Sequence, residues 1–358
     1  MKLGIIGLPQ SGKTTIFNAL TRGDTPTTAS AGRIEIHTAV VDVPDPRVDK
    51  LSGMFHPKKT IYAKVTYADI AGLEAGAAHP QGALRTGISG QLLNQLAQMD
   101  GFIHVARCFA DENVPHPSGS VDPQRDAEAM ESELLLNDLI SVERKLERLA
   151  DERKKGGTDK TLNARQAELF ERLHKTLSEN KPLRGMDFNA EDQKELASFG
   201  LLTRKPLLTA FNLGEGQAAP DISVDHPNVF LQGKLEMEIA QLSPEDAAVF
   251  MQEYGIEEPS LNRMIRLSYD LLNQQSFFTV GEDEVRAWTV RRGAPAVEAA
   301  GAIHTDLQKG FIRAEVVAYD DLTRLGSMNE AKSKGKLRLE GKEYIVKDGD
   351  IVHIRFNV

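Results

Sequence analysis

Short apolar segments alternate with helix-like stretches through the first two thirds of the chain. The candidate strands are residues 3–6, 38–43, 64–70, 102–107, 206–211 and 229–231. Apolar strands separated by helices are typical of a parallel sheet that helices cover on both faces. The pattern therefore predicts an α/β fold for this part of the chain.

Two charged stretches interrupt this pattern between residues 123 and 185. Apolar residues recur in the first stretch at spacings of four and three, and on a similar stripe in the second: Leu135, Leu139, Val142, Leu146 and Leu149, then Leu162, Leu169, Leu173 and Leu177. This spacing is typical of a coiled-coil seam. We predict an antiparallel helical arm that turns at the glycines of residues 156–157. The alternative is that both helices pack on the sheet.

The pattern changes again after Ser276. Residues 277–280, 285–290 and 314–319 have strand-like patterns, 294–309 is helix-like, and 344–356 reads as a hairpin turning at 347–350. Two strands, a helix and further strands predict a small β-grasp-like domain. The predicted domains are an α/β domain at 1–122 and 186–275, the helical insert at 123–185, and the β-grasp-like domain at 276–358.

Composition narrows the class of protein. The chain has 358 residues with a net charge of −9, which argues against a globally basic nucleic-acid-binding surface. The single cysteine, Cys108, excludes intramolecular disulfides and fits a reducing compartment. Residues 1–7 read as a buried strand, which leaves no room for a signal peptide, and no apolar run has membrane-spanning length. We therefore expect a cytoplasmic protein without a membrane partner.

The first candidate chemistry is a phosphate-binding loop at residues 7–14. The sequence Gly-Leu-Pro-Gln-Ser-Gly-Lys-Thr fits the phosphate-loop motif and lies between a predicted strand and helix. Lys13 is expected to reach the β and γ phosphates, and the Thr14 hydroxyl to hold Mg²⁺. The expected nucleotide-binding set here is Gly7, Pro9, Gln10, Ser11, Gly12, Lys13, Thr14 and Thr15.

A second element follows the strand at residues 64–70. Asp69 is expected at the carboxyl end of the sheet beside the magnesium, and the Gly72 amide is expected to face the γ-phosphate. Ras-like proteins place a water-orienting Gln after this glycine. Leu73 stands here instead and makes no hydrogen bond, so we expect hydrolysis to be slow or to use another group.

A third element comes after the strand at 206–211. GTPases place Asn-Lys-x-Asp there, and its Asp and Lys recognise guanine. This chain has Asn212, Leu213, Gly214 and Glu215. Loss of the Lys and a carboxylate one methylene longer predict loss of guanine selectivity, because those contacts depend on geometry. The alternative is an ordinary strand-to-helix turn.

These residues resemble the YchF/Obg-like ATPase family of Obg-related P-loop proteins. The similar segments are residues 7–9, 43–47, 69–73, 212–215, 277–279, 303–306 and 356–358. The resemblance spans nearly the full chain. It implies a Ras-like nucleotide domain, a coiled-coil insert and a C-terminal TGS domain. It also implies a preference for ATP over GTP and association with ribosomes or ribosomal RNA.

The resemblance also implies a catalytic residue. The family's replacement for the missing Gln is a loop histidine, and His116 matches that position; its imidazole suits orienting or deprotonating water. This chain departs from the family at Gln10, where Asn is usual and is linked to potassium binding. Residues 32–35 also lack the family's Thr, and the stretch 82–90 departs from its glycine-rich pattern. We therefore expect a divergent paralogue.

Three functional hypotheses follow from the sequence. The first is an ATP-hydrolysing switch whose arm and C-terminal domain contact the ribosome or a protein partner. The second is a nucleotide-gated scaffold with negligible turnover, which Leu73 permits. The third is a ribosome-associated GTPase, which Leu213 and Glu215 disfavour.

Overall fold

The computed structural model describes residues 1–23, 36–70, 88, 90–156 and 159–357. The strands within these ranges are β1 (Lys2–Ile6), β2 (Ile36–Asp42), β3 (Lys59–Ile61), β4 (Lys64–Ile70), β5 (Gly101–Arg107), β6 (Leu207–Asn212), β7 (Asn228–Leu231), β8 (Gln274–Val280), β9 (Glu284–Arg291), β10 (Phe311–Ala318), β11 (Arg338–Glu340) and β12 (Asp350–Phe356).

The helices in the same ranges are α1 (Lys13–Thr21), α2 (Pro46–Phe55), α3 (Gly90–Ala97), α4 (Pro123–Lys155), α5 (Lys160–Ser178), α6 (Ala190–Leu196), α7 (Gly233–Gln241), α8 (Pro244–Glu253), α9 (Ser260–Leu271), α10 (Ala296–Ile303), α11 (Thr305–Lys309), α12 (Tyr319–Leu325) and α13 (Met328–Ser333). A 3₁₀ turn covers Leu183–Gly185. None of these helices combines the length and apolar composition that a membrane crossing needs.

The first sheet contains the six strands expected from the apolar pattern. Its order is β2-β4-β1-β5-β6-β7, and β1 is parallel to both β4 and β5. The β5–β6 and β6–β7 pairs are parallel too. Strands β5 and β6 are buried along their whole length, as apolar strands covered on both faces should be. The predicted α/β fold is confirmed.

Helix α4 has the terminal residues that a long helix needs. Asp122 caps its first turn by accepting a hydrogen bond from the Arg125 amide, and Pro123 occupies the first helical position. Three basic residues lie in its last turn, where they complement the helix dipole. Gly156 then ends the helix with a φ of 73°. The helix therefore starts and stops where the sequence predicts.

The helical insert packs partly on the first sheet and partly helix against helix. Met130 and Leu134 of α4 join the apolar cluster that covers the first sheet. Farther along, α4 packs against α5 in a second cluster, which includes Val142, Leu169, Leu173 and Leu177. The predicted seam is wrong at Leu162, which is 43% exposed. Asn163 is buried instead, and its side-chain amide donates to the Leu149 carbonyl at 3.1 Å.

The chain divides into two compact units. The first contains residues 1–39 and 66–261, and the second contains residues 40–65 and 262–358. Residues 40–65 therefore lie in the second unit, although the sequence placed them in the first domain. The reason is non-local pairing: β3 runs parallel to β9. Arg47 of the Val-Pro-Asp-Pro-Arg segment also forms ion pairs with Asp45 and Asp348.

The second unit is built on a mixed sheet. Its order is β11-β10-β12-β8-β9-β3, and α10 packs on it with a core of Phe277, Val316, Val352 and neighbouring residues. The β8–β9 and β10–β12 pairs are antiparallel, and β12–β8 is parallel. The hairpin predicted at 344–356 is wrong. Strand β12 pairs with β10 and β8, and Ile345, before the turn, forms an isolated bridge with Pro295 instead.

Candidate nucleotide-binding site

The phosphate loop connects β1 to α1 and depends on two glycines. Gly7 has a φ of 154° and Gly12 a φ of 95°. A Cβ atom on Gly7 would lie 2.5 Å from the Val105 carbonyl oxygen, and one on Gly12 would lie 2.2 Å from the Asn212 amide nitrogen. Gly12 thus needs both a left-handed backbone and the absence of a side chain. The motif glycines are therefore required by the close packing of the loop against β5 and β6.

Lys13 is buried at the start of α1 and folds back over the loop. Its Nζ donates hydrogen bonds to the carbonyl oxygens of Gly7 at 3.1 Å and Leu8 at 2.8 Å. Burial lowers the pKa of Lys13 to about 8, and the nearby Asp69 carboxylate opposes that shift. The Lys13 ammonium group predicted from the motif therefore lies inside the phosphate loop.

Thr14 and Asp69 meet as the sequence predicts. The Thr14 hydroxyl donates to Asp69 Oδ2 at 2.8 Å. Burial raises the pKa of Asp69, while the Thr14 hydrogen bond and the Lys13 charge oppose the rise. Asp69 Oδ1 is buried and has no hydrogen-bond partner among the described residues. An unpaired carboxylate oxygen next to a hydroxyl fits a hard cation such as Mg²⁺, which prefers oxygen ligands.

Asn212 joins three parts of the site. Its side-chain amide nitrogen donates to the Ser11 carbonyl at 3.0 Å, and its side-chain oxygen accepts from the Gly233 amide at 2.9 Å. Asn212 ends β6, Ser11 belongs to the phosphate loop, and Gly233 begins α7. The side chain therefore ties the carboxyl edge of the sheet to the loop and to α7.

A cavity of about 600 Å³ lies beside the phosphate loop. Its lining includes the predicted residues Gln10, Gly12, Lys13, Thr14, Thr15, Asn212, Leu213 and Glu215. The residues missed by sequence reasoning are those from the loop after β5 and from α7: Phe109, Ala110, Asp111, Val114, Gln232, Lys234, Leu235, Met237 and Glu238. The cavity thus brings one edge of the sheet, the loop and a helix to a single space.

Three predicted loop residues, Gly7, Pro9 and Ser11, lie outside the lining of this cavity. Pro9 lines a second cavity, of about 740 Å³, on the side of the loop that faces α4, and Gln10 borders both cavities. Ser11 is buried, and its hydroxyl oxygen has no hydrogen-bond partner within the described ranges. Gln10 has a left-handed φ of 63°, a conformation that Asn adopts more readily than Gln.

His116 also lines the second cavity. Its Nε2 lies 2.8 Å from Asp126 Oδ2 of α4, and its Nδ1 accepts a hydrogen bond from the Ser118 amide at 3.1 Å. The side chain is only 4% exposed. The predicted catalytic histidine is therefore beside the phosphate loop, with both ring nitrogens engaged by the protein.

Arg107 is a further residue that sequence reasoning missed. It ends β5, is buried, and donates to the carbonyl oxygens of Phe109 at 2.9 Å and Val114 at 2.7 Å. Its guanidinium also stacks over the Phe109 ring at 4.3 Å. Arg107 thereby shapes the segment that lines the first cavity and leads to His116. The sequence feature that could have indicated this role is an arginine at the end of an otherwise apolar strand.

The remaining predicted residues fall outside the described ranges. Gly72 and Leu73 lie in the undescribed stretch 71–87, as does most of the departing segment 82–90. The altered switch segment 32–35 also lies outside those ranges. The roles expected for these residues stay predictions.

The glycine loop, the buried lysine and the paired hydroxyl and carboxylate define a P-loop nucleotide-binding protein of α/β fold. The family model MMR_HSR1, described as 50S ribosome-binding GTPase, matches residues 2–145. The model YchF-GTPase_C, described as a protein of unknown function (DUF933), matches residues 274–357. The chain belongs to the YchF family, as its full-length relatives establish.

Two curated relatives illustrate the likeness; both are named "Ribosome-binding ATPase YchF". The protein of Haemophilus influenzae is 41% identical over 368 residues, covering 100% of this chain and 99% of the relative. That of Bacillus subtilis is 39% identical over 369 residues, covering 99% of each. A solved structure, described as "Structure of the Schizosaccharomyces pombe YchF GTPase", aligns with a TM-score of 0.83 and 29% identity, covering 99% of this chain and 97% of that one.

Proposed function

We propose that this chain is a nucleotide-dependent switch that binds and slowly hydrolyses ATP and acts with the ribosome. The observation that carries the proposal is the buried Lys13 beside the Thr14–Asp69 pair at the head of α1. Relatives of full length that bear the name ribosome-binding ATPase support the same function. That partner and the single cysteine support a cytoplasmic location.

Phosphate recognition falls to the loop and to α1. The helix points its positive end toward the loop, so a triphosphate placed there meets backbone amides and the Lys13 ammonium. Thr14 and Asp69 are the residues that would hold Mg²⁺, which would neutralise phosphate charge. Asp69 Oδ1, unpaired among the described residues, supports this assignment.

Base recognition favours ATP. The cavity beside the loop carries Leu213 and Glu215 where guanine-specific proteins carry Lys and Asp. Asn212 is bonded to Ser11 and Gly233, so its amide serves the loop and α7. Leu213 is shorter than the lysine stem that covers guanine, and the Glu215 carboxylate lies one methylene farther out than that of aspartate. Neither residue supports the geometry that recognises guanine. GTP is the weaker ligand in this proposal.

Hydrolysis is assigned to water helped by His116. Water oxygen attacks the γ-phosphorus, the bond to the β–γ bridging oxygen breaks, and the water proton passes to a base. The Leu73 side chain offers no hydrogen bond, and His116 lines the second cavity beside the phosphate loop. The helical arm and the C-terminal unit, which we assign as TGS-like, are the proposed contacts to the ribosome or a protein partner.

Competitive binding tests the nucleotide preference. ATP should bind at least as tightly as GTP when each displaces a fluorescent nucleotide in the presence of Mg²⁺. A tenfold preference for GTP, about 1.4 kcal/mol, would instead favour the ribosome-associated GTPase. The Schizosaccharomyces pombe relative is named a GTPase, which makes this comparison the first one to measure.

Single-turnover hydrolysis tests the catalytic assignment. Replacing His116 with Ala should lower the rate of ATP cleavage roughly a hundredfold, because general acid–base assistance is worth about that much, with ATP affinity little changed. Equal rates in wild type and variant would remove His116 from the mechanism. Undetectable turnover in wild type would favour the nucleotide-gated scaffold instead.

A further inference from the structure

The imidazole of His116 is fixed in one tautomer. Its Nδ1 accepts the Ser118 backbone N–H at 3.1 Å, so the lone pair of that nitrogen is occupied. In the neutral ring the proton therefore resides on Nε2, which donates to Asp126 Oδ2 at 2.8 Å. In this arrangement neither nitrogen accepts a proton from water or donates to it.

The Asp126 carboxylate is buried and fully used. Its side chain is 3% exposed. Oδ2 faces His116, while Oδ1 accepts from Arg125 Nε at 3.0 Å and from Arg125 Nη2 at 2.8 Å. Arg125 also holds the Ser120 carbonyl and hydroxyl. A carboxylate with one donor group on each oxygen holds the ring on one side and the arginine on the other.

Helix α4 provides a fixed point for this contact. Asp138, about three turns beyond Asp126, accepts hydrogen bonds from the Leu202 and Thr203 amides at 2.8 and 2.7 Å. Glu131 forms a bidentate pair with Arg184. Because α4 is anchored at these positions, the movement that separates His116 from Asp126 belongs to the His116 side chain or to the segment between Val114 and Asp122.

We propose that Asp126 is a positioning residue that holds His116 away from the attacking water, so that breaking this contact accelerates ATP cleavage. The inference rests on the proposed hydrolytic role of His116 and adds its control. His116 reaches water only after its ring leaves Asp126 and the Ser118 amide. The rate of cleavage therefore depends on how strongly Asp126 holds the ring.

Replacing Asp126 with Asn tests the contact with little change in shape. Aspartate offers an acceptor on each oxygen, whereas asparagine offers one acceptor and one donor. Because Arg125 donates two hydrogen bonds to one oxygen, the asparagine oxygen should face Arg125 and the amide N–H should face His116. We expect single-turnover cleavage to rise roughly tenfold, the lower range for losing a hydrogen bond to a charged group, with the KM for ATP unchanged.

Two further variants separate this effect from a general change in structure. Glu128→Gln neutralises an exposed carboxylate of the same helix that bonds only Gln124 in the described chain, and it should leave the rate at the wild-type value. The Asp126→Asn, His116→Ala double variant should match His116→Ala alone. An equal acceleration in the presence and absence of His116 would overturn the proposal, as would a slower or unchanged rate in Asp126→Asn.

Nitrogen-15 NMR of the imidazoles provides a readout that needs no turnover. The wild-type protein should show His116 protonated at Nε2 with slow exchange of that proton, and Asp126→Asn should lose this signature. If the wild-type protein lacked this slowly exchanging Nε2 proton, the proposed contact between His116 and Asp126 would be overturned. A wild-type protein that binds no ATP would contradict the proposed function, while the NMR result would still decide the contact itself. If His116→Ala slows cleavage but Asp126→Asn does not accelerate it, the proposed function stands and the control of His116 by Asp126 is rejected.

Discussion

Two buried charged side chains of opposite sign, Lys13 and Asp69, lie beside the phosphate loop of the first unit. Lys13 keeps an ammonium group inside the loop by donating to two backbone carbonyls, and Asp69 keeps a carboxylate oxygen without a partner in the described chain. Burying charge is costly unless it is paired, so such groups are retained where a ligand completes them. The geometry at this scale fits a magnesium-bound triphosphate.

The substitution Lys13→Ala should abolish ATP binding with the fold intact. The ammonium is the side-chain charge closest to the expected β and γ phosphates, and no other described lysine donates into the loop. Isothermal titration with ATP and Mg²⁺ measures the effect, and Lys50→Ala, an exposed lysine of α2, is the matched control. ATP binding as tight as wild type in Lys13→Ala would contradict the assignment of this loop.

His104 predicts a dependence of stability on pH. Burial lowers the pKa of this β5 histidine from 6.5 to about 3 in the folded chain. The unfolded chain therefore binds more protons between these values, and the free energy of unfolding falls as pH drops below about 6.5. The slope for one such group reaches about 1.4 kcal/mol per pH unit.

Urea unfolding of wild type and His104→Leu between pH 7.5 and 4.5 measures this contribution. The variant should lose less stability on acidification than wild type. His226, whose pKa is also lowered by burial, contributes a remaining slope. His353→Gln, at an exposed position of β12, should keep the wild-type dependence. Parallel curves for wild type and His104→Leu would exclude the effect.

At the scale of elements, α4 serves two structures in turn. Its first turns cover the sheet through Met130 and Leu134, and its later turns pair with α5. Asp138 anchors the helix between these parts, with both oxygens bonded to residues 202–203. Removing the whole insert would therefore open the core of the nucleotide unit, whereas removing its distal end would leave that core covered.

Replacing residues 147–166 with a short Gly/Ser linker should preserve ATP binding and weaken ribosome binding. The cut leaves Val142, Leu169 and Phe170 in their apolar cluster and removes the exposed basic residues near the end of α4. ATP titration and ribosome co-sedimentation report the two properties. A matched variant with only Leu162→Ser changed, at an exposed position, should keep both. Loss of ATP affinity in the truncation would show that the distal arm supports the site.

Local motifs explain what the sequence could predict at this scale. The phosphate loop is contiguous, so Lys13 and Thr14 could be placed from eight residues, and Asp69 followed from the strand before it. The pairing of His116 with Asp126 could not be predicted from the sequence, because it depends on how a loop folds against a helix. The placement of residues 40–65 rests on β3 pairing with β9, far along the chain, and such contacts leave no periodic signal.

The whole molecule has a net charge of −9, which bears on its proposed association with a ribosome. An acidic protein is repelled on average by RNA phosphates, so non-specific electrostatic attachment is weak. Several basic residues of the second unit are also paired internally: Arg291 with Glu298, Arg292 with Asp270 and Lys336 with Asp321. We therefore expect the proposed association to depend on defined contacts, which a nucleotide can switch.

Ribosome co-sedimentation should therefore depend on nucleotide more than on salt. We expect a larger bound fraction with a non-hydrolysable ATP analogue and Mg²⁺ than without nucleotide, because a switch binds its partner better in one nucleotide state. The Lys13→Ala variant should lose this response, since it cannot bind the analogue. Raising the salt from 50 to about 200 mM should reduce binding far less than the ~10³-fold or greater loss typical of proteins held by many phosphate contacts. Equal binding with and without nucleotide would contradict a nucleotide switch, whereas binding that salt abolishes would show that many phosphate contacts hold the chain on the ribosome.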